Sequence, residues 1–224
     1  MKKQIIIQKK ELGNIGSSLN YFLKFNIPKT AKILDIGCNY GSLIYNLYKL
    51  GYKNVQGIDV NKDTVSKGEK EYKEISKKIN YYDGIKIPFK NDSFDVILMF
   101  DVIEHIPDVK NFLKKEIYRV LKKGGFFIFQ TPNKIINIPW EIINKKSFTK
   151  WKSYHCSLQT KRSLKTILRN SGFQKNVVEK GNILTDHNKN KVKIKAGFFG
   201  IFLLYFLSIM PLSLNPNFWG GGRK

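Results

Sequence analysis

The stretch that most constrains the fold is Ala31-Lys32-Ile33-Leu34-Asp35-Ile36, a short run rich in apolar residues that breaks into Gly37-Cys38-Asn39-Tyr40-Gly41. A run of this length closed by glycine reads as a buried strand. Leu43, Ile44, Leu47 and Leu50 then recur at helical spacing up to Gly51. A strand therefore feeds a helix directly through a glycine turn, and that order, when repeated, defines parallel strands joined by crossover helices.

The order does repeat. Leu12, Ile15, Leu19, Phe22 and Leu23 predict a leading helix over about residues 11–25, stopped before Pro28. Asn54–Asp59 is a second strand, followed by a polar helix with Val65, Tyr72, Ile75 and Ile79 on one face. A short strand near Asn80–Tyr82 and a stronger one over Phe94–Phe100 come next. Val109, Phe112, Leu113, Ile117, Val120 and Leu121 form an apolar helical stripe, with Lys122-Lys123 expected at the helix C-terminus and Gly124-Gly125 ending it. Phe126–Thr131 is a second buried strand, residues 133–158 a long connection, and a helix runs from Thr160 to Gly172.

These elements predict a doubly wound, Rossmann-like α/β domain over residues 1–195, with a mostly parallel seven-stranded sheet and helices on both faces. Gln174–Glu179 can supply the sixth strand. Asn217-Phe218-Trp219-Gly220-Gly221-Gly222 makes a poor seventh, so either that strand is degenerate or the chain ends early.

The 224 residues suffice for a substantial core, since chains of this order bury roughly 70% of their unfolded surface. Cys38 and Cys156 have neither CxxC spacing nor a neighbouring His or Asp cluster, so both are expected as reduced thiols in a cytosolic protein, without a disulfide or a metal. No export signal is expected at the N-terminus, where only three isoleucines precede Gln8 and more lysines. The net charge of +23 admits a nucleic-acid partner. The lysines are scattered over helix faces without interleaved aromatics, however, which argues against one; an anionic lipid surface is an equally physical use of the charge.

In doubly wound sheets, ligands bind at the carboxyl ends of the strands, first at the turn after strand one. Gly37 and Gly41 remove Cβ atoms where a ligand approaches the backbone. Asp59 falls at the end of strand two, where a carboxylate accepts from ribose hydroxyls. A dinucleotide site is the alternative, but its GxGxxG is absent, with Asn39 at the second glycine position. Asp35 would also repel a pyrophosphate, whereas it suits a ligand bearing an ammonium and a sulfonium. The charge pattern favours S-adenosylmethionine over NAD.

Residues 31–41, 55–60, 80–84 and 94–133 together resemble the class I S-adenosylmethionine-dependent methyltransferases, above all the bacterial enzymes acting on quinone precursors, glycans and other small acceptors. The resemblance implies that Asp35, Gly37, Cys38 and Gly41 surround the methionine part of the cofactor, with Asn39 departing from the usual glycine. It implies that Asp59 takes the ribose hydroxyls, Val60 flanks the adenine, and Asp83 and Gly84 lie toward the adenine amino group. Phe100, closing the fourth strand, joins the cofactor set. The run Asp101-Val102-Ile103-Glu104-His105, with Thr131-Pro132-Asn133, is similar to the family's fourth and fifth strand region.

Glu104 and His105 fall where an acceptor would enter, and imidazole is the side chain suited to proton transfer near neutral pH. His155 matches a histidine often found ahead of the helix before strand six. These three are the catalytic candidates, each with a structural role as its alternative. The expected reaction is methyl transfer from S-adenosylmethionine, leaving S-adenosylhomocysteine, to oxygen of a small, sugar-based or lipid-linked acceptor, with no metal. An RNA or protein methyltransferase and a non-catalytic cofactor-binding module are the rivals.

Residues 196–224 stand apart. Lys189, Lys191, Lys193 and Lys195 alternate ahead of a stretch from Ala196 to Gly222 with no charge. A helix or re-entrant anchor at the inner face of the membrane, a spanning helix, and a helix packed on the sheet all fit this pattern.

Overall fold

A computed structural model describes residues 15–224, the side chains at 144, 186, 187, 191 and 195 excepted. Leu12, and with it the start of the predicted leading helix, lies outside the described residues; the helix as described is α1, Ile15–Leu23.

Seven strands form one sheet in the order β3-β2-β1-β4-β5-β7-β6. These are β1 Ile33–Ile36, β2 Val55–Asp59, β3 Ile79–Tyr81, β4 Phe94–Phe100, β5 Leu121–Pro132, β6 Gln174–Lys180 and β7 Asn217–Arg223. The first five run parallel, and β7 lies antiparallel between β5 and β6. The chain order reverses between β1 and β4, and the crevice outside a sheet at such a switch point is where ligands bind.

Each face of the sheet has its own core. Helices α1, α2 (Ser42–Lys49) and α3 (Lys62–Glu71) cover one face, where Leu19, Phe22, Ile44 and Leu47 pack on Ile33, Val96 and Leu98. The other face carries the segment after β4 and α7 (Lys161–Asn170), packed through Leu113, Ile117, Leu164 and Leu168 onto Ile97, Phe127 and Phe129. Thr160 caps α7 in a reciprocal box with Ser163, and Gly172 leaves it at φ +95°.

The helix after β4 is short and irregular: α4, Val109–Phe112, runs through a π turn at Leu113–Ile117 into α5, Tyr118–Val120. It does not extend to Lys122-Lys123. Leu121 already pairs with Phe94 and Phe126 with Val96, so the four residues between them bulge out of β5. The glycine pair is what permits the bulge. Gly124 has φ +74°, and a Cβ on Gly125 would lie 2.9 Å from the carbonyl oxygens of Asp95 and Lys122.

The predicted long connection 133–158 contains a helix, α6, Lys134–Lys145, with Pro139 inside it. Strand β7 is weak in composition and intact in pairing. Its three glycines let it lie close to its neighbours, and a Cβ on Gly220 would sit 2.4 Å from the Val177 carbonyl oxygen.

Residues 186–209 form helix α8, broken at Ala196 and Gly197, whose φ of +55° and ψ of −143° are non-helical. No described helix is long and apolar enough to cross a membrane.

Candidate active site

The turn after β1 is built by left-handed backbone. Gly37, Asn39 and Gly41 take φ of +77°, +50° and +84°. Asparagine is, after glycine, the residue that visits this region most readily, so the turn survives the departure at position 39. Gly37 is fixed by space as well, since a Cβ there would stand 2.3 Å from Val102 Cγ2. The N–H groups of Gly37 and Cys38 donate to the Ile58 carbonyl at 2.8 and 3.2 Å, holding the turn against the end of β2.

Asp59 completes that attachment. One carboxylate oxygen accepts from Asn39 N–H and the other from Asn61 N–H, both at 2.8 Å. Each oxygen retains a second lone pair facing outward from these bonds. Asp35 is different: it is buried, and no hydrogen bond among the described residues reaches its carboxylate. Burial, and next the charge of Asp59, hold its pKa well above the carboxylate range. Such a carboxyl is costly unless a cation or donor meets it.

Cys38 lies buried beside Gly57, with its thiol pushed up by burial and the two aspartates, so it fills space as a neutral group. Val60 is exposed and sits 3.1 Å from where a Gly84 Cβ would be, which makes an open apolar shelf. Asp83 is exposed, and its Oδ1 closes a turn by accepting from Ile85 and Lys86 N–H. Those bonds lower its pKa. Phe100 packs its ring 5.8 Å from that of Trp219.

Past β4, the chain brings together residues about 50 positions apart. Glu104 is 1% exposed, and its Oε2 accepts from the Thr131 hydroxyl at 2.9 Å. Burial, and then Asp101, push its pKa up to about 8. His105 Nδ1 lies 2.7 Å from the Tyr154 carbonyl, and His155 Nδ1 lies 3.1 Å from Asn137 Oδ1. A carbonyl oxygen only accepts, so Nδ1 of His105 carries a hydrogen, which in the neutral ring leaves the lone pair on Nε2. The two rings stand 5.2 Å apart. Burial first, and then His105, lower the pKa of His155.

The structure thus forms two groups at the carboxyl edge. Asp35, Gly37, Cys38, Asn39 and Gly41 adjoin Asp59, while Glu104, His105 and His155 gather beyond β4. Ligand atoms of the latter three all lie within 4.8 Å of one another. The sequence groups these three as candidates near the acceptor, but residue spacing does not show that their side chains meet, nor that Thr131, Asn137 and the Tyr154 carbonyl support them. Their only sequence signal was the Thr131-Pro132-Asn133 run, in which Asn133 caps α6 and donates to the Ser213 and Asn215 carbonyls.

A family model of the methyltransferase domain matches residues 8–179. An ubiquinone biosynthesis O-methyltransferase of Pelagibacter ubique is 34% identical over 125 residues, 55% of this chain and 51% of that protein. A sterol 24-C-methyltransferase of Aspergillus fumigatus is 31% identical over 108 residues, 46% of this chain and 28% of its own. The chain therefore spans about half the length, or less, of these relatives. Among solved structures, an S-adenosylmethionine-dependent methyltransferase of Mesorhizobium loti superposes with a TM-score of 0.66 at 18% identity, covering 94% of this chain and all of that one. Phosphoethanolamine N-methyltransferase 2 of Haemonchus contortus, in complex with S-adenosylmethionine, gives 0.64 at 19% identity over 93% of this chain and 52% of its own.

The sheet order, the turn after β1 and the domain match define one class: this chain belongs to the class I S-adenosylmethionine-dependent methyltransferases.

Proposed function

We propose that the protein transfers a methyl group from S-adenosylmethionine to an oxygen of a small, sugar-based or lipid-linked acceptor in the cytosol, at the inner face of the membrane. The observation that carries this reading is the buried Asp35 carboxyl, without a hydrogen-bonding partner among the described residues, beside the left-handed turn of Gly37, Asn39 and Gly41. That pair fits a ligand with an ammonium near its sulfonium. The charge would bring Asp35 back to its ionised form.

Gly37, Cys38 and Gly41 leave room for the methionine part along the turn. Asp59, oriented by Asn39 and Asn61, takes the ribose hydroxyls on its remaining lone pairs. Val60 and Gly84 supply the shelf for the adenine, and Asp83 lies at its rim, with Phe100 on the β4 side. The bound cofactor supplies an electrophilic methyl group on a sulfonium.

His105, anchored through Nδ1, presents its Nε2, 4.0 Å from Glu104 Oε1, to accept a hydroxyl proton from the acceptor. Glu104, protonated below about pH 8, and His155 fix the wall against which the acceptor is aligned. Alignment at near-attack geometry is the larger contribution, up to about 7–11 kcal/mol in favourable cases. The names of the quinone and sterol relatives support small apolar acceptors, and that of the first supports oxygen as the accepting atom.

The test is incubation with methyl-labelled S-adenosylmethionine and fractionated lysate of the source cell. Label in lipid or glycan fractions is the expected outcome. Label in RNA or protein would replace this reading with the polymer rival, and tight cofactor binding with no transfer anywhere would leave a non-catalytic module.

A further inference from the structure

Helix α8 is a hairpin with an unusual surface. Its two halves pack through Gly200, where a Cβ would lie 2.5 Å from Val192 Cγ1, and the Lys189 ammonium sits 5.9 Å from the centre of the Tyr205 ring. In the second half only Gly200 and Leu204, one turn apart, are buried. Phe198, Phe199, Phe202, Phe206 and Ile209 face outward, with Phe198 86% exposed. A surface of this kind on a folded chain marks an interaction site.

A cationic groove opens a few residues beyond the end of α8. Lys161, Arg162, Lys165 and Arg169 of α7, with Ile135 of α6 and Ser213, line a cavity of about 1050 Å³. No acidic residue lines it, and no ion pair among the described residues includes any of the four cations. Both ends of α8 and the Lys161 end of the groove lie toward the carboxyl edge of the sheet, because β6 ends and β7 begins beside the end of β5 and Gln159 bridges to Asn133, while Arg169 carries the groove along α7 toward the opposite edge.

We infer that the outer face of α8 and the α7 groove together dock the protein on an anionic phospholipid surface. The phenylalanines enter the boundary between headgroups and acyl chains, and the four cations meet lipid phosphates. The charge weighs against the nearest competitor, a second copy of the chain. Two molecules each of formal charge +23 would repel. The break at Gly197, in a chain where no described helix is long and apolar enough to cross a membrane, suits a segment lying on the bilayer. The carboxyl edge, with its Asp35 and His105 groups, is then the edge turned toward lipid. The docking surface stands independently of the methyl-transfer reading, since its test reads binding alone.

The experiment is flotation of the full chain with vesicles of phosphatidylcholine alone and of equimolar phosphatidylcholine and phosphatidylglycerol, at physiological salt. Binding to the mixed vesicles only is expected. Joint substitution Phe198→Ser and Phe202→Ser, or Lys161→Glu and Lys165→Glu, should each weaken it by about tenfold or more, with thermal unfolding unchanged. Failure of the wild-type chain to float with anionic vesicles overturns the proposal, as does equal binding to neutral ones. Unchanged binding by both folded variants does the same. A concentration-dependent dimer that the phenylalanine pair abolishes, without vesicle binding, would assign the face to a second copy instead.

Discussion

The backbone N–H of Asn39 donates to the Asp59 carboxylate at 2.8 Å, so the turn after β1 and the end of β2 are one unit. An acidic side chain at this position does two jobs in the proposed site: it holds the turn in its left-handed form and presents lone pairs to a ribose.

Asp59→Ala is therefore expected to weaken S-adenosylmethionine binding by an order of magnitude or more, because it strands two N–H groups and the ligand hydroxyls at once. Isothermal titration of the folded variant checks this. Unchanged affinity would remove Asp59 from the site.

Position 37 should be less forgiving than position 39. Gly37→Ala meets both a φ of +77° and the Val102 methyl, and is expected to lower stability by about 1–3 kcal/mol. Asn39→Gly keeps the turn conformation and should shift stability by about 1 kcal/mol at most. Chemical denaturation of the two variants measures the contrast.

His105→Ala should lower kcat by about 10²–10⁴ while cofactor affinity stays as it was, if Nε2 takes the acceptor proton. Retained turnover would leave His105 as the residue that ties the chain after β4 to the Tyr154 carbonyl.

Glu104 gives the folded state a pH dependence of known sign. Its pKa is raised to about 8, so the folded protein holds a proton there that the unfolded chain releases near its ordinary value of 4.5. Stability from this group is complete below that value and is lost as pH rises through about 8. Glu104→Gln should flatten the decline of Tm across that window. Parallel profiles for wild type and variant would refute the assignment.

Chelation tests the third use of the cluster. Glu104, His105 and His155 are close enough to share an ion, yet the proposed chemistry needs none. Turnover is expected to survive exhaustive treatment with EDTA, and a loss restored by one divalent cation would reassign the three side chains to metal binding.

The sequence by itself determined the strand and helix order, because buried strands and amphipathic helices differ in periodicity, and local backbone geometry sets that period. It also placed Asp35, Gly37, Asn39, Gly41 and Asp59, since a turn and its neighbouring strand end are specified within a few residues by glycine and charge. The bulge at Lys122–Gly125 escaped it: a glycine pair after an apolar helix is locally indistinguishable from a helix stop, and only the Asp95 and Lys122 carbonyls decide otherwise. Strand β7 was equally obscure, since three glycines have weak strand propensity and form one only where two finished strands leave a narrow gap. Tertiary structure alone brought His155 to His105 and Glu104, and set the α7 cations near the end of α8. Such meetings are settled by how distant segments pack, and no residue spacing along the chain encodes them.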